Sequence, residues 1–357
     1  MKLFHWASSH GNFGDDMNLF LWEHFLPGVF DGNDDAMFIG IGTILSADIP
    51  KARHRIVMGS GTGYGRLPAD LDDDSWRIYA VRGPLTARAI NADPKLAVAD
   101  PAILLPLLPE FAPASRRGVA FVPHWTTAKG GIWQTACARA GFDFIDPRHE
   151  AKRVIRQIAA AQLVIAESMH GAIVADAFRV PWIAVVSGRD TPLKWHDWAL
   201  ALAMEYRPYE VGQLSVIPMV RDGRREVSSV RAEMSAQEYA SSVDAAVSSF
   251  VQRSSRPAAV VRPGARARVK AGICRLLDRA GHSMLADRGA RMLTQISKLP
   301  PRLSADGVLR DRQAELVRRI ESFREDLSAG AFSASRPLDP PGRAMNPATP
   351  QVLQNGR

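Results

Sequence analysis

Residues 163–182 read LVIAESMHGAIVADAFRVPW, and this stretch carries the strongest structural signal in the chain. An apolar run ends at Glu167 and Ser168, and a segment of small residues typical of a helix begins at His170 and Gly171. A short apolar run that leads directly into a helix is typical of a buried strand in a parallel sheet. We therefore predict that His170 lies between a strand end and a helix start, facing the crevice of an open sheet and not its core.

The same alternation extends in both directions along the chain. After residue 117, strands are predicted at 119–123, 142–145, 163–166 and 182–186, and helices at 132–140, 151–161, 171–178 and 193–203. Before it, strands are predicted at 2–7, 36–41, 55–59, 76–81 and 96–99, with one clear helix at 17–25. Strands that alternate with helices through short loops indicate parallel sheets covered on both faces.

The length of 357 residues predicts two domains, and a Pro-, Ala- and Ser-containing link at 109–117 separates them. We expect an N-terminal α/β domain at 1–112 and a C-terminal α/β domain at 117–252. The predicted fold class is α/β, with two doubly wound parallel-sheet domains facing across a cleft. This is the GT-B-like plan of two-domain sugar-transfer enzymes, although a fold alone decides no chemistry. A basic helical extension at 253–332 and a disordered tail at 333–357 are expected to follow.

Basic charge is concentrated late in the chain. The net charge is +8 at pH 7, and residues 253–302 contain 12 Lys or Arg against 2 Asp or Glu, a local balance of +10. We expect this segment to contact the anionic inner face of a membrane, because Leu, Met and Ile recur after Ile273. A merely solvated basic face is the alternative. Nucleic acid is not an expected partner, because no nucleic-acid-binding motif accompanies the segment.

Compartment and metal content are predicted from patterns that the sequence lacks. No stretch approaches the roughly 20 apolar residues that span a bilayer, and the first residues show no signal-peptide pattern. Cys137 and Cys274 lie far apart and match no metal-ligand spacing. We expect a cytoplasmic, reduced protein without a cofactor or a metal, peripheral at the membrane, although scattered Asp residues leave metal dependence open.

Glycine-containing loops follow three predicted strands of the first half. They are Gly11-Asn-Phe-Gly-Asp-Asp16, Gly40-Ile-Gly-Thr43 and Gly59-Ser-Gly-Thr-Gly63. Such loops line the crevice in which an open parallel sheet binds ligands, and a helix start offers free N–H groups to an anion. The residues predicted to contact a ligand are Asn12, Gly14, Asp15, Gly42 and Gly61. The alternative is an ordinary strand-to-helix turn in which the acidic side chains only cap the helix.

Cations and aromatic side chains near other strand ends complete the predicted binding set. Arg82 would clamp a carboxylate or phosphate with paired hydrogen bonds, or else form a structural ion pair with Asp100. The segment 189–198 combines cations, tryptophans and acids, although Trp195 and Trp198 share one side of a helix and would also suit the core. The further residues predicted to bind substrate are Arg82, His124, Ser168, Gly171, Arg189, Lys194 and Trp195.

His170 and Glu167 are the predicted catalytic residues. A histidine at a strand end is suited to acid–base catalysis, although a lone histidine is more often structural. Glu167 would raise the pKa of the imidazole, whereas the N-terminus of the following helix would lower it. The sequence does not decide which influence is larger.

Taken in order, these motifs resemble the polysaccharide pyruvyl transferase family, and most of all its branch acting on exopolysaccharides of the succinoglycan and xanthan kind. The motifs, which cover about residues 2–203, are Gly11-Asn-Phe-Gly-Asp15, Gly40-Ile-Gly-Thr43, Gly59-Ser-Gly61, Val81-Arg-Gly-Pro84, Asp100-Pro101, Glu167-Ser-Met-His-Gly171 and Lys194-Trp-His-Asp-Trp198. Many members carry an arginine where this chain has Ser168. Its anion-clamping role would pass here to Arg82, Lys194 or Arg189.

The resemblance implies transfer of the enolpyruvyl unit of phosphoenolpyruvate to two hydroxyls of one sugar, giving a cyclic pyruvate ketal and phosphate. The acceptor that we expect is an exopolysaccharide repeat unit linked to polyprenyl diphosphate. His170 would serve as general acid and base, Arg82 and Lys194 would hold the donor, and Asn12 and Asp15 would approach donor or sugar. The alternative is a GT-B-type glycosyltransferase that uses a nucleotide sugar.

Overall fold

Two β-sheets flanked by helices form the framework in the computed structural model, which describes residues 1–111, 115–187, 191–212, 214–217, 227–228, 234–254 and 265–332. The first sheet contains β1 (Lys2–Phe4), β2 (Ala36–Ile39), β3 (His54–Met58) and β4 (Trp76–Ala80), all parallel and in sequence order. Its strand order never reverses, so the prediction of a doubly wound first domain is wrong. The reason is that loops, and not helices, connect β2 to β3 and β3 to β4.

The second sheet has the order β10-β9-β8-β7-β5-β6. Its strands are β5 (Arg117–Val122), β6 (Asp143–Phe144), β7 (Ala161–Ala166), β8 (Trp182–Val186), β9 (Tyr209–Val211) and β10 (Val227–Ser228). All neighbours are parallel except β10, which is antiparallel to β9. From β5 the chain first adds β6 on one side and then β7 on the other, so the strand order reverses between β5 and β7. Open α/β sheets bind their ligands outside the carboxyl ends of strands at such a reversal.

Eleven helices occur in the described residues. They are α1 (Phe13–Asp16), α2 (Asn18–Phe25), α3 (Pro84–Ala89), α4 (Ile132–Ala140), α5 (Ala151–Ala159), α6 (Met169–Ala177), α7 (Pro192–Ala201), α8 (Ala236–Ser254), α9 (Ala265–Ala280), α10 (His282–Ile296) and α11 (Asp306–Ser328). The strand predicted at 96–99 is wrong, because this region forms a 3-10 turn and a single bridge between Val81 and Ala97. A capping box precedes α8: Ser235 Oγ accepts from the Glu238 N–H, and Glu238 Oε2 accepts from the Ser235 N–H.

The largest hydrophobic core is continuous across both sheets. It joins Phe38 of β2 and Val164 of β7 to Phe323 of α11. Two helices of the predicted C-terminal extension pack on the rest of the chain. Helix α10 buries Leu285, Met292, Leu293 and Ile296, and α11 covers the first sheet. The predicted tail at 333–357 lies outside the described residues. None of the described helices has the length and apolar content needed to cross a membrane.

Candidate active site

A cavity of about 500 Å³ opens at the carboxyl end of the second sheet. Its wall contains His124, Glu167 and Ser187, which come directly after β5, β7 and β8. Because β5 and β7 flank the reversal in strand order, the cavity lies where an open α/β sheet is expected to bind ligand. Tyr64 of the first half and Lys194 of α7 also line it, so both halves of the chain contribute to the wall.

Glu167 is the carboxyl group of this cavity. Its Oε2 accepts from the His124 N–H at 2.9 Å, and its Oε1 accepts from the hydroxyls of Thr127 and Ser187. Burial raises the pKa of Glu167 above the usual range, although these hydrogen bonds act in the opposite direction. A carboxyl group held in one orientation with a raised pKa is suited to deliver a proton.

Two lysines give the cavity a positive character. Lys194 Nζ donates to Tyr64 Oη at 2.7 Å, and Lys129 Nζ lies 4.5 Å from the centre of the Trp125 ring. His124 adds no charge at neutral pH, because burial and then Lys194 lower its pKa to about 4. Sequence reasoning missed Lys129, although its position soon after His124, in the loop that leaves β5, is a usable signal.

His170 begins the first turn of α6, as predicted, but it stands outside the described lining of the cavity. Its side chain is 12% exposed, and Nε2 lies 3.8 Å from Asp100 Oδ2. Neither of these two buried atoms has a hydrogen-bond partner. Burial, then Lys194 and Arg82, lower the pKa of His170 to about 3, so the imidazole is neutral at physiological pH. Desolvation and these two cations thus outweigh the effect that Glu167 was predicted to have.

Asp100 is the partner of His170 that sequence reasoning did not identify. Its side chain is fully buried, and its Oδ1 accepts from the Ala102 N–H at the start of a 3-10 helix. Burial raises the pKa of Asp100 to about 6, while Arg82 lowers it. The sequence marks Asp100-Pro101 as a turn. It carries no signal that Asp100 contacts His170, which lies 70 positions later.

Close packing, and not ligand contact, explains the glycine at several predicted positions. A Cβ at Gly14 would overlap the His170 imidazole, and one at Gly61 would overlap the Arg82 guanidinium. Gly171 approaches Val122 of β5 in the same way, with a Cβ-to-Cγ1 distance of 2.9 Å. Gly42 adopts φ +125°, which favours glycine, beside the Asp15 carboxylate. The three glycine loops therefore bring α1 and Arg82 close to the site.

Arg82 has a structural partner, and that partner is Asp197 instead of the expected Asp100. Both side chains are fully buried, with Nε 3.1 Å from Asp197 Oδ2. The guanidinium also donates to Thr43 Oγ1 and to the Thr62 carbonyl. Asp197 Oδ1 accepts from two N–H groups at the start of α3, so it caps a helix of the other half. This arrangement favours the structural alternative over the donor clamp predicted for Arg82.

The remaining predicted binding residues have mixed surroundings. Trp195 is 3% exposed and stacks on Tyr206 with ring centroids 4.8 Å apart, which favours its core alternative even though it borders the cavity. Ser168 Oγ accepts from the Gly171 N–H and caps α6. Asn12 Nδ2 donates to the Asp15 carboxylate. Arg189 lies outside the described residues.

The buried carboxyl group of Asp15 makes the free energy of unfolding depend on pH. Burial, then Asp16, raise the pKa of Asp15 from 3.8 to about 7. Between these values the folded chain holds a proton that the unfolded chain releases, so rising pH lowers the free energy of unfolding through this window. We expect Asp15→Asn to be more stable than the native protein at pH 8 by roughly 1–4 kcal/mol, since a tenfold change in proton affinity corresponds to about 1.4 kcal/mol. Near pH 4 the difference should vanish. Thermal unfolding at both pH values measures this, and an equal difference at both contradicts it.

In the described ranges, no group of three or more His, Cys, Asp or Glu is placed to hold a metal ion. What the cavity offers is an acid, two lysines and one neutral histidine, His124, with His170 outside its described lining. Such a set suits proton transfer on a bound anion.

Comparison with known proteins identifies the family of the chain. The family model described as "Polysaccharide pyruvyl transferase" matches residues 12–189, a range that includes Glu167 and His170. The protein named "Succinoglycan biosynthesis protein ExoV" of Rhizobium meliloti (strain 1021) is 49% identical over 214 residues, which cover 59% of this chain and 68% of that protein. No solved structure matches the chain. With a relative this similar over two thirds of its length, the chain belongs to the polysaccharide pyruvyl transferase family and is a transferase.

Proposed function

We propose that the protein transfers the enolpyruvyl unit of phosphoenolpyruvate to two hydroxyls of one sugar in a succinoglycan-type exopolysaccharide repeat unit. The second carbon of the donor forms two bonds to sugar oxygens and loses its bond to phosphate. Of the two hydroxyl protons, one converts the methylene into a methyl group and the other leaves with phosphate. The product is a cyclic pyruvate ketal. Part of the proposal is a GT-B-like arrangement in which residues 1–112 and 117–252 form domains across a cleft.

The observation that carries the proposal is the positive cavity at the reversal in strand order. A donor with a carboxylate and a phosphate needs cations that are fixed before it binds. Lys129 and Lys194 line the cavity, whereas Arg82 is neutralised by Asp197. Many family members carry an anion-holding arginine where this chain has Ser168. We therefore assign that role to the two lysines. Lys194 retains the role expected from the sequence.

Proton transfer is assigned to Glu167 and His170. Glu167, whose pKa is raised by burial, protonates the donor methylene. His170 is neutral before the donor binds, so it is able to accept a proton from a sugar hydroxyl. After the transfer His170 releases this proton to water and Glu167 takes one up from water, which restores both groups. The negative donor raises the pKa of the imidazole when it binds, and the facing Asp100 carboxylate stabilises the imidazolium that forms.

The test is an assay of the purified protein with phosphoenolpyruvate and oligosaccharide fragments of succinoglycan. Phosphate release that requires the glycan, together with thermal stabilisation by phosphoenolpyruvate, is the expected result. The competing function is a GT-B-type glycosyltransferase. Stabilisation by nucleotide diphosphates and none by phosphoenolpyruvate would favour that competitor and overturn the proposal.

We also propose that the acceptor is carried by polyprenyl diphosphate and that residues 253–302 hold the protein at the anionic cytoplasmic face of the membrane. In α9, Ile273, Leu276 and Leu277 are exposed by 52%, 68% and 39%, and Met284 of α10 by 47%. These apolar side chains belong to the segment with a local charge of +10. Apolar side chains combined with basic charge are typical of helices that lie in a membrane interface.

Vesicle binding tests this contact. We expect the protein to sediment with vesicles of anionic lipid at low salt and much less with neutral vesicles. Leu276→Asp should weaken binding roughly tenfold, since a buried leucine contributes about 1.5–3 kcal/mol. Leu19→Asp is the matched control, because Leu19 is 55% exposed but belongs to α2. Equal binding of both variants, or equal binding to neutral vesicles, contradicts the proposal.

A further inference from the structure

A second cavity, of about 720 Å³, adjoins the candidate active site. It shares Tyr64, Thr191 and Tyr206 with the first cavity, so the two are contiguous. One wall is α8, which contributes residues from Ser242 to Arg253. At 1.5 Å per residue this wall is about 16 Å long. We call this second cavity the α8 trough.

The α8 trough has the surface chemistry of a carbohydrate site. Small side chains on α8 (Ser242, Ala245, Ala246 and Ser249) leave room beside the helix, while the Ser249 hydroxyl and the Arg253 guanidinium offer hydrogen bonds. The Ser242 hydroxyl donates to the Tyr239 carbonyl and is left to accept. A sugar chain presents many hydroxyls and few charges, which such a wall is able to satisfy. The walls of the first cavity, in contrast, carry the lysines and the carboxyl group.

Tyr64 stands where the two cavities meet. Its side chain is 45% exposed, and the hydrogen bond and cation–π contact from Lys194 hold the ring, with Nζ 5.1 Å from the ring centre. Tyrosine combines an apolar face with a polar tip, so it suits a ligand that has both. Trp195, which was predicted to bind substrate, is nearly buried, so Tyr64 is the exposed aromatic side chain at this junction.

We propose that the α8 trough binds the oligosaccharide chain of the acceptor, with Tyr64 packing against the sugar at the junction. The small donor needs only the first cavity, so the trough is free for the sugars beyond the one that is modified. This inference rests on the proposed function, because it takes a glycan as the acceptor. It adds that recognition extends over several sugars and that chain length determines affinity.

Direct binding tests the inference independently of catalysis. Succinoglycan fragments of increasing length are titrated into the full-length protein by calorimetry, without phosphoenolpyruvate. We expect the Kd to fall by about tenfold or more from single sugars to longer fragments, equivalent to at least about 1.4 kcal/mol. Ser249→Trp, which fills the trough, and Tyr64→Ala should each remove most of this gain. Ser248→Trp is the matched control, because Ser248 is an exposed serine of α8 outside the described trough lining.

Two results overturn the inference: affinity that does not depend on fragment length, or Ser249→Trp binding long fragments as tightly as Ser248→Trp does. Thermal unfolding is recorded for both variants to check that they are folded. Pyruvyl transfer is then measured separately. Length-dependent binding without any transfer would refute the proposed function and leave the carbohydrate site standing, so the two failures are distinguishable.

Discussion

Replacing His170 by alanine is expected to lower kcat for pyruvyl transfer by about 10²–10⁴-fold, the range typical of a lost acid–base group. The imidazole is neutral, nearly buried and opposite Asp100, with a Nε2-to-Oδ2 distance of 3.8 Å. Glu167, directly before the cap Ser168, is the other titrating group near the start of α6, and it is assigned the transfer to the donor methylene. Steady-state kinetics with phosphoenolpyruvate and a succinoglycan fragment measure the effect.

His170 also packs against Gly14, so an alanine variant leaves a gap in the structure. Its thermal unfolding must therefore be recorded, and His170→Asn provides a second variant that fills more of the space. His24→Ala is the control, because His24 is exposed on α2. A folded His170→Ala or His170→Asn variant with near-native kcat would show that the imidazole is not the catalytic group.

The largest effect on stability is expected from the buried Arg82–Asp197 pair. Asp197→Ala leaves a fully buried guanidinium without its charged partner and removes the cap of α3. Breaking a buried pair by removing one partner typically costs 3–5 kcal/mol, so we expect a loss of about that size in the free energy of unfolding. Unfolding in urea, compared with the native protein, measures it.

Arg88 and Asp244 provide a matched comparison. They form another Arg–Asp pair between helices α3 and α8, but their side chains are 50% and 70% exposed. An exposed pair contributes only about 0.2–1 kcal/mol, so Asp244→Ala should be nearly neutral. If Asp197→Ala and Asp244→Ala lower the free energy of unfolding by the same amount, the buried pair does not have the predicted effect on stability.

Local signals in the sequence predicted four of the six strands of the second sheet, and β9 and β10 were missed. The run at 163–166 and the small-residue helix after it correspond to β7 and α6, because a buried strand followed by a capped helix has a strong local pattern. The order of strands is set by long-range packing instead. The prediction of a doubly wound sheet is therefore right for the second sheet, whose strand order reverses between β5 and β7. It is wrong for the first sheet, whose strands follow the sequence order.

Site residues were predictable as types, but their partners were not. The positions of Glu167 and Lys194 in the cavity wall follow from strand ends and a helix start, which the sequence marks. The pairing of Arg82 with Asp197 and the contact of Asp100 with His170 each join residues at least 70 positions apart. Such contacts depend on how the halves pack, and one sequence carries no local signal for them.

The most direct test of the central claim is the fate of the donor carbon. The protein is incubated with a succinoglycan fragment and phosphoenolpyruvate labelled with carbon-13 at its second carbon, and the purified glycan is examined by nuclear magnetic resonance. We predict a quaternary ketal carbon in the glycan, a new methyl group, and one phosphate released per label incorporated. A glycan without label, or with the label in a vinyl ether, would contradict the account.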